Sequence, residues 1–180
     1  MPPEFEEFLS KWQVLAKSTG GLPTRKQITI GEFHAFLPNM VIARWDTKIW
    51  LPEIKYCGTR LDELLKRDIR SAPAKAVLQP GPHMETHLEI AKAVIKDRMG
   101  AEVEAEISVG PKKSIIVSQL RLPLADEDGK GVIMSYFLLP DISPHEAIDG
   151  YIKFTEMRYK VIELGQFETC EGVASTGTPG

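Results

Sequence analysis

Two apolar stretches in the carboxyl-terminal half constrain the fold more than any other feature of this sequence. Residues 114–124, SIIVSQLRLPL, and residues 132–139, VIMSYFLL, are joined by ADEDGKG and carry apolar side chains on both faces of a strand. A short charged connection between two such runs predicts an antiparallel hairpin. Because both faces are apolar, something must cover each side of the sheet.

The segment that precedes this hairpin, AEVEAEISV at residues 101–109, alternates strictly between apolar and polar residues. The pattern predicts a strand with one face in the core and the other in solvent. Glu102, Glu104 and Glu106 fall on the polar face with Ser108. We therefore interpret these glutamates as a solvated row and not as paired catalytic carboxylates.

Another hairpin is predicted earlier in the chain, from the segments NMVIARW and IWLPEIKYC. Pro52 has no backbone N–H to give to a neighbouring strand, so the second strand is predicted to lie at a sheet edge. Gly58 ends this strand, and Thr59 is predicted to cap a helix that follows. Cys57 has no CxxC partner in the sequence and is predicted to be a buried, unreactive thiol.

Residues 1–22 predict an amphipathic helix that starts with prolines and stops at a Gly-Gly pair. Its apolar stripe has two candidate partners, namely the open face of the chain's own sheet and the same stripe of a second subunit. Homodimerisation through this helix is therefore a companion hypothesis. The predicted dimer or partner surface consists of Phe5, Phe8, Leu9, Trp12 and Leu15.

A core helix is also predicted from Thr86, because Thr86-His87-Leu88-Glu89 matches a capping box. His87 is interpreted as a solvent-exposed histidine of the first turn, with the alternative that it reaches a pocket. The segment HMETH, residues 83–87, resembles HExxH only in its two histidines, since Met84 follows the first one. No metal site is predicted there.

The remaining segments complete the predicted organisation of the chain. Residues 23–140 form the main domain, residues 141–165 a helical extension, and residues 166–180 a disordered tail rich in Gly and Thr. The spacing of Tyr151, Phe154 and Met157 favours the helix, but the aromatic and β-branched content of YIKFTEMRYKVIEL leaves a strand open for residues 144–164.

The overall composition excludes several classes of function. The chain has 180 residues, a net charge of -3 and a pI near 5.9, so it offers no general basic field for nucleic acid or anionic lipid. No apolar run is long enough to span a membrane. Its two cysteines lie far apart, and no secretory leader is evident, so we expect a cytoplasmic protein.

Five stretches resemble, in order, the landmarks of a family of stand-alone bacterial PAS-like proteins: FLSKWQVL, LPTR, FLPNMVIARWD, KYCGTRLDELLKRDI and LRLPLADEDGKGVIMSYFLLP. The resemblance implies an α+β fold, with a five-stranded antiparallel sheet and helices across one face. The chain departs from the family pattern at Lys66, where a glycine is usual, and at Arg70-Ser71, where Thr-Gly is common.

The resemblance also implies a sensory or regulatory protein that binds a signalling protein or a small apolar ligand and is not an enzyme. A candidate ligand pocket is inferred only from the periodicity with which side chains alternate along the strands and repeat along the helix. It comprises Tyr56, His87, Ala91, Ile95 and Tyr136. No cofactor is predicted. Haem held by His87 is a minor alternative, and a flavin adduct is not expected because YCGT around Cys57 does not match Asn-Cys-Arg-Phe-Leu.

Two rival functions remain open at this point. The first is a small α+β enzyme, such as an isomerase or a dehydratase, with an acid/base pair inside a cavity. The second is a protein-interaction module with a collapsed core and no ligand.

Overall fold

The computed structural model describes residues 1–65, 83–108, 114–141 and 153–165. The predictions on Lys66, on Arg70-Ser71 and on the tail at 166–180 lie outside these residues. The helices and strands are α1 (Pro3–Thr19), α2 (Ile30–Phe33), β1 (Met40–Asp46), β2 (Leu51–Cys57), α3 (Thr59–Leu65), α4 (Met84–Ile95), β3 (Gly100–Ser108), β4 (Ser114–Glu127), β5 (Lys130–Leu138) and β6 (Lys153–Ile162).

The strands form one antiparallel sheet in the order β2-β1-β5-β4-β3-β6. Both predicted hairpins are present, and Pro52 lies on the edge strand β2, as expected. The turn between β4 and β5 places Asp128 and Gly129 at φ 51° and 71°. Two consecutive positive φ values are typical of the tight turn that joins antiparallel strands, and glycine adopts them without strain.

The sheet has a sixth strand where a helical extension was predicted. Strand β6 pairs with β3 along its whole length, from Gly100 opposite Ile162 to Ser108 opposite Lys153. This pairing satisfies backbone groups that would otherwise leave β3 as a bare edge. The prediction of a helix is therefore wrong for residues 153–162, and the strand alternative is correct.

Helix α1 covers one face of the sheet, which is one of the two partners considered for its apolar stripe, so both faces of the sheet carry helices. Phe5, Phe8 and Trp12 are wholly buried against apolar side chains of β1, β4 and β5. The indole Nε1 of Trp12 also donates a hydrogen bond to the Pro123 carbonyl, with a nitrogen-to-oxygen distance of 2.9 Å. The stripe therefore packs on the chain's own sheet.

This packing corrects the predicted dimer or partner surface. Its three aromatic side chains lie in the core, and Leu9 and Leu15 are half-buried against the apolar side chains that α1 covers. Homodimerisation itself stays an untested prediction, but the five residues do not offer it a free apolar surface.

Helices α3 and α4 cover the opposite face. In α4, Ile90, Ala91 and Val94 are wholly buried against side chains of β1, β3 and β5. This helix begins at Met84, with His83 at its N-cap, so the capping box predicted at Thr86 is not what starts it. The earlier start places His87 in the second turn of the helix.

The corner between β2 and α3 is built around Gly58. Its N–H donates to the Met40 carbonyl, and its own carbonyl accepts hydrogen bonds from the amides of Leu61 and Asp62. A Cβ atom at Gly58 would lie 2.2 Å from the carbonyl oxygen of Leu37, so only glycine fits. Cys57, the last residue of β2, is buried as predicted.

Candidate functional site

A group of polar side chains is buried between α4 and the sheet. Arg121 and Gln119 project from β4, His87 comes from α4, and Ser135 lies on β5 directly opposite Arg121. All four are buried, and in the described part of the chain they are the buried residues with polar or charged side chains. We call Arg121, Gln119, His87 and Ser135 the interior polar cluster.

Hydrogen bonds connect three members of this cluster. The Nε of Arg121 donates to the Gln119 side-chain oxygen at 2.9 Å, and its Nη2 lies 3.2 Å from Nδ1 of His87. Because a guanidinium only donates, Nδ1 of His87 must accept, which places the proton of the neutral imidazole on Nε2. The imidazole also contacts the indole ring of Trp45, with the two ring centres 5.6 Å apart.

The electrostatics of the cluster follow from its burial. Burial lowers the pKa of Arg121 to about 10, which still leaves the guanidinium charged at neutral pH. The pKa of His87 lies well below its ordinary value, first because the ring is buried and second because it faces the positive charge of Arg121. The cluster therefore combines one buried cation with a neutral histidine.

The predicted pocket residues do not converge, because the sheet separates them. Tyr56 and Tyr136 lie on the α1 side, where Tyr56 donates to the Leu37 carbonyl at 3.0 Å and Tyr136 contacts aromatic rings of α1. His87, Ala91 and Ile95 lie on α4, on the other side of the sheet. The five residues therefore do not line one common pocket. His87 is buried, so the expectation that it is exposed to solvent is wrong.

Two residues of the cluster, Gln119 and Arg121, were missed from the sequence. The sequence does contain a signal for them. Gln119 and Arg121 lie on the same face of β4 as Ile115 and Val117, because side chains two residues apart on a strand point the same way. Polar residues in that series break an otherwise apolar face that lies beneath a helix. Such a break is more informative than an exposed polar residue, because buried polar groups require partners.

A comparison with protein families agrees with this arrangement of helices and strands. A family model described as a PAS domain matches residues 2–137, from the start of the chain to the last residues of β5. The chain belongs to the PAS domain family. Strand β6 lies beyond the matched residues of this PAS domain. No curated protein and no solved structure matches the chain.

Family membership makes this chain a sensory or regulatory type of module. No helix in the ranges that the structure describes is long and apolar enough to cross a membrane. Within those same ranges, no group of three or more His, Cys, Asp and Glu side chains could hold a metal ion.

The outer surface of the PAS domain carries an open, charged concavity on the α1 side of the sheet. Glu104, Glu106, Ile116, Glu156 and Arg158 line its volume of about 160 Å³. Glu104 is exposed, and Glu102 and Glu106 are partly exposed, which confirms the predicted solvated row. Arg158 forms an ion pair with Glu156 at 2.6 Å, so the cation of this surface is already neutralised.

The buried imidazole makes the stability of the PAS domain depend on pH. Because the pKa of His87 is lowered in the folded state, the unfolded chain binds a proton at higher pH, and stability falls below an unfolded pKa of about 6.5. We expect the free energy of unfolding to drop by about 1.4 kcal/mol per pH unit in this range, measured by urea denaturation.

Two variants separate this effect from other titrations. His87→Gln keeps an acceptor for Arg121, the charged group that faces the ring, and should flatten the pH dependence. His34→Gln makes the same change at an exposed position and should keep the native slope. Equal slopes in both variants would show that His87 is not the responsible group.

Proposed function

We propose that this PAS domain is a regulatory module that binds a small ligand between α4 and the sheet and carries out no chemistry of its own. The observation that carries the proposal is the interior polar cluster. An inert core would place apolar side chains at these positions, because a buried guanidinium loses its hydration and apolar replacements are often neutral or stabilising. Its presence is better explained by a binding role.

Helix α4 is the element through which binding would be transmitted. It rests on the sheet through small and medium side chains, and Ile95 packs against Gly131 of β5, where a Cβ atom would lie 2.4 Å from the Ile95 side chain. Lys92 and Lys96 sit over the Trp50 ring, at 5.5 and 5.3 Å from its centre. A ligand that prefers one docking of α4 would shift the population of that docking.

The electrostatics of the cluster favour binding over catalysis. A general base works best when its pKa lies near the operating pH. The pKa of His87 is far below that range, because the ring is buried and faces a cation. This argues against the enzyme alternative, in which a histidine inside the fold would exchange protons with a substrate.

The test compares the freshly purified chain with the same chain after unfolding, dialysis and refolding. Native mass spectrometry of the first sample should show a mass excess that the second sample lacks. Hydrogen exchange of the α4 amides should be slower when the ligand is present, whereas the amides of α1, on the far side of the sheet, serve as the internal control. Identical masses and identical α4 exchange would contradict the proposal and favour a ligand-free interaction module.

A further inference from the structure

Arg121 is a buried cation without a carboxylate in the part of the chain that the structure describes. It takes part in none of the ion pairs formed there, and the residue is only 4% exposed. Its hydrogen-bond partners in that part of the chain, Gln119 and His87, are neutral acceptors. Charged side chains are rarely buried to this extent unless they are paired, so the site has an excess positive charge to be balanced.

Within the described residues, the hydrogen-bonding capacity of the guanidinium is also incompletely used. It has five N–H donors, and its contacts with Gln119 and His87 use two of them. The remaining donors belong to Nη1 and Nη2, the pair of nitrogens that can bind two oxygens of a carboxylate side by side. The N–H groups that remain on Nη1 and Nη2 can therefore donate to both oxygens of one oxyanion.

The charges around the guanidinium indicate what kind of anion fits. Gln119 and Ser135 are neutral side chains, and the lowered pKa of His87 keeps its ring neutral too. One negative charge therefore balances the cluster, whereas a doubly charged phosphate would leave an uncompensated buried anion. The indole of Trp45, next to His87, supplies an apolar wall for the body of such a ligand.

We infer that the ligand of the site is a small monocarboxylate, whose carboxylate pairs with the guanidinium of Arg121 beneath α4. This inference rests on the proposed function and specifies its ligand class. Gln119 acts as a positioning residue, since its side-chain oxygen holds Nε of the same guanidinium. Binding here neutralises the buried charge and stabilises the docking of α4.

The experiment measures the thermal unfolding midpoint of the full chain in sodium acetate, propionate and benzoate. Sodium chloride of the same ionic strength, sodium phosphate and the neutral amides acetamide, propionamide and benzamide serve as comparison probes. At about a hundred times the dissociation constant, a carboxylate should raise Tm by about 5 to 10 °C. The rise should saturate, and chloride, phosphate and the amides should not reproduce it.

Three substitutions connect the response to the guanidinium. Arg121→Met should lose the carboxylate-specific rise. Arg121→Lys keeps the charge but not the paired donors, so it should bind more weakly and reports on the site even if the methionine variant does not fold. Arg158→Met makes the matched change on the outer surface, where the side chain is 71% exposed, and should keep the full response.

The outcomes separate this inference from the proposed function. A carboxylate-specific rise that requires Arg121 supports both. If the amides raise Tm as much as the carboxylates, or if Arg121→Met responds like the native chain, the carboxylate inference is overturned while binding beneath α4 survives. The absence of a rise with every carboxylate probe overturns the inference, and identical masses and α4 exchange before and after refolding overturn the proposed function as well.

Discussion

Gly58→Ala is expected to lower the free energy of unfolding by about 3 kcal/mol or more. The added Cβ would lie 2.2 Å from the carbonyl oxygen of Leu37 and 2.3 Å from that of Pro38. Both contacts are with backbone atoms, which cannot turn aside as a flexible side chain can. The corner between β2 and α3 must therefore open, and the hydrogen bond from Gly58 to the Met40 carbonyl weakens with it.

Urea denaturation followed by circular dichroism measures this change, and Gly31→Ala is the matched control. Gly31 lies in α2, is exposed, and its nearest contact for an added Cβ is the Thr29 hydroxyl at 4.0 Å. The control should be neutral or slightly stabilising, because alanine restricts the unfolded chain more than glycine does. A Gly58→Ala variant as stable as the control would mean that the chain does not take this close path past Leu37 and Pro38.

Local sequence signals predicted much of the fold, but not the reason for glycine at this corner. The alternation in β3 and the turn residues between β4 and β5 act over two to ten residues, so they can be recognised without knowing the rest of the structure. The requirement for glycine at position 58 is different, because it arises from the backbone of Leu37 and Pro38. The sequence indicated where the strand ends, but not what makes glycine necessary there.

Strand β6 was predicted only as the alternative to a helix, because its stability comes from a distant partner. The aromatic and aliphatic residues of this segment fit a spacing of three and four, which favours a helix when the segment is considered alone. In the structure, its backbone pairs with β3, and Met157 packs against the apolar side chains between α4 and the sheet. Strand formation depends on such context more than helix formation does.

The candidate site was only partly predictable for a related reason. Tyr56 and Tyr136 lie on the face of the sheet that α1 covers. They do so because they pair with Ile42 and Met40 of β1, whose side chains also face α1. For His87, the helix start at Met84 and the packing of α4 determine which way the ring faces. Both depend on tertiary contacts, whereas the polar break at Gln119 and Arg121 was visible in the sequence of β4.

The second large effect is expected at Trp12, which fixes α1 to the sheet. Trp12→Ala should lower the free energy of unfolding by about 3 to 5 kcal/mol, because it removes a wholly buried ring and leaves a cavity. It also leaves the Pro123 carbonyl, which accepts the indole hydrogen bond at 2.9 Å, without that donor. Val14→Ala, on the same helix but 63% exposed, should change stability by no more than about 0.5 kcal/mol.

The dependence on protein concentration identifies which sheet the stripe of α1 covers. If Phe5, Phe8 and Trp12 pack within one chain, the urea midpoint of the native protein should not change with concentration. If the stripe instead joined two subunits, the midpoint would rise with concentration, and Trp12→Ala would give a folded monomer in light scattering. The buried contacts predict the first result, with a Trp12→Ala chain that is destabilised and prone to associate through the sheet face it uncovers.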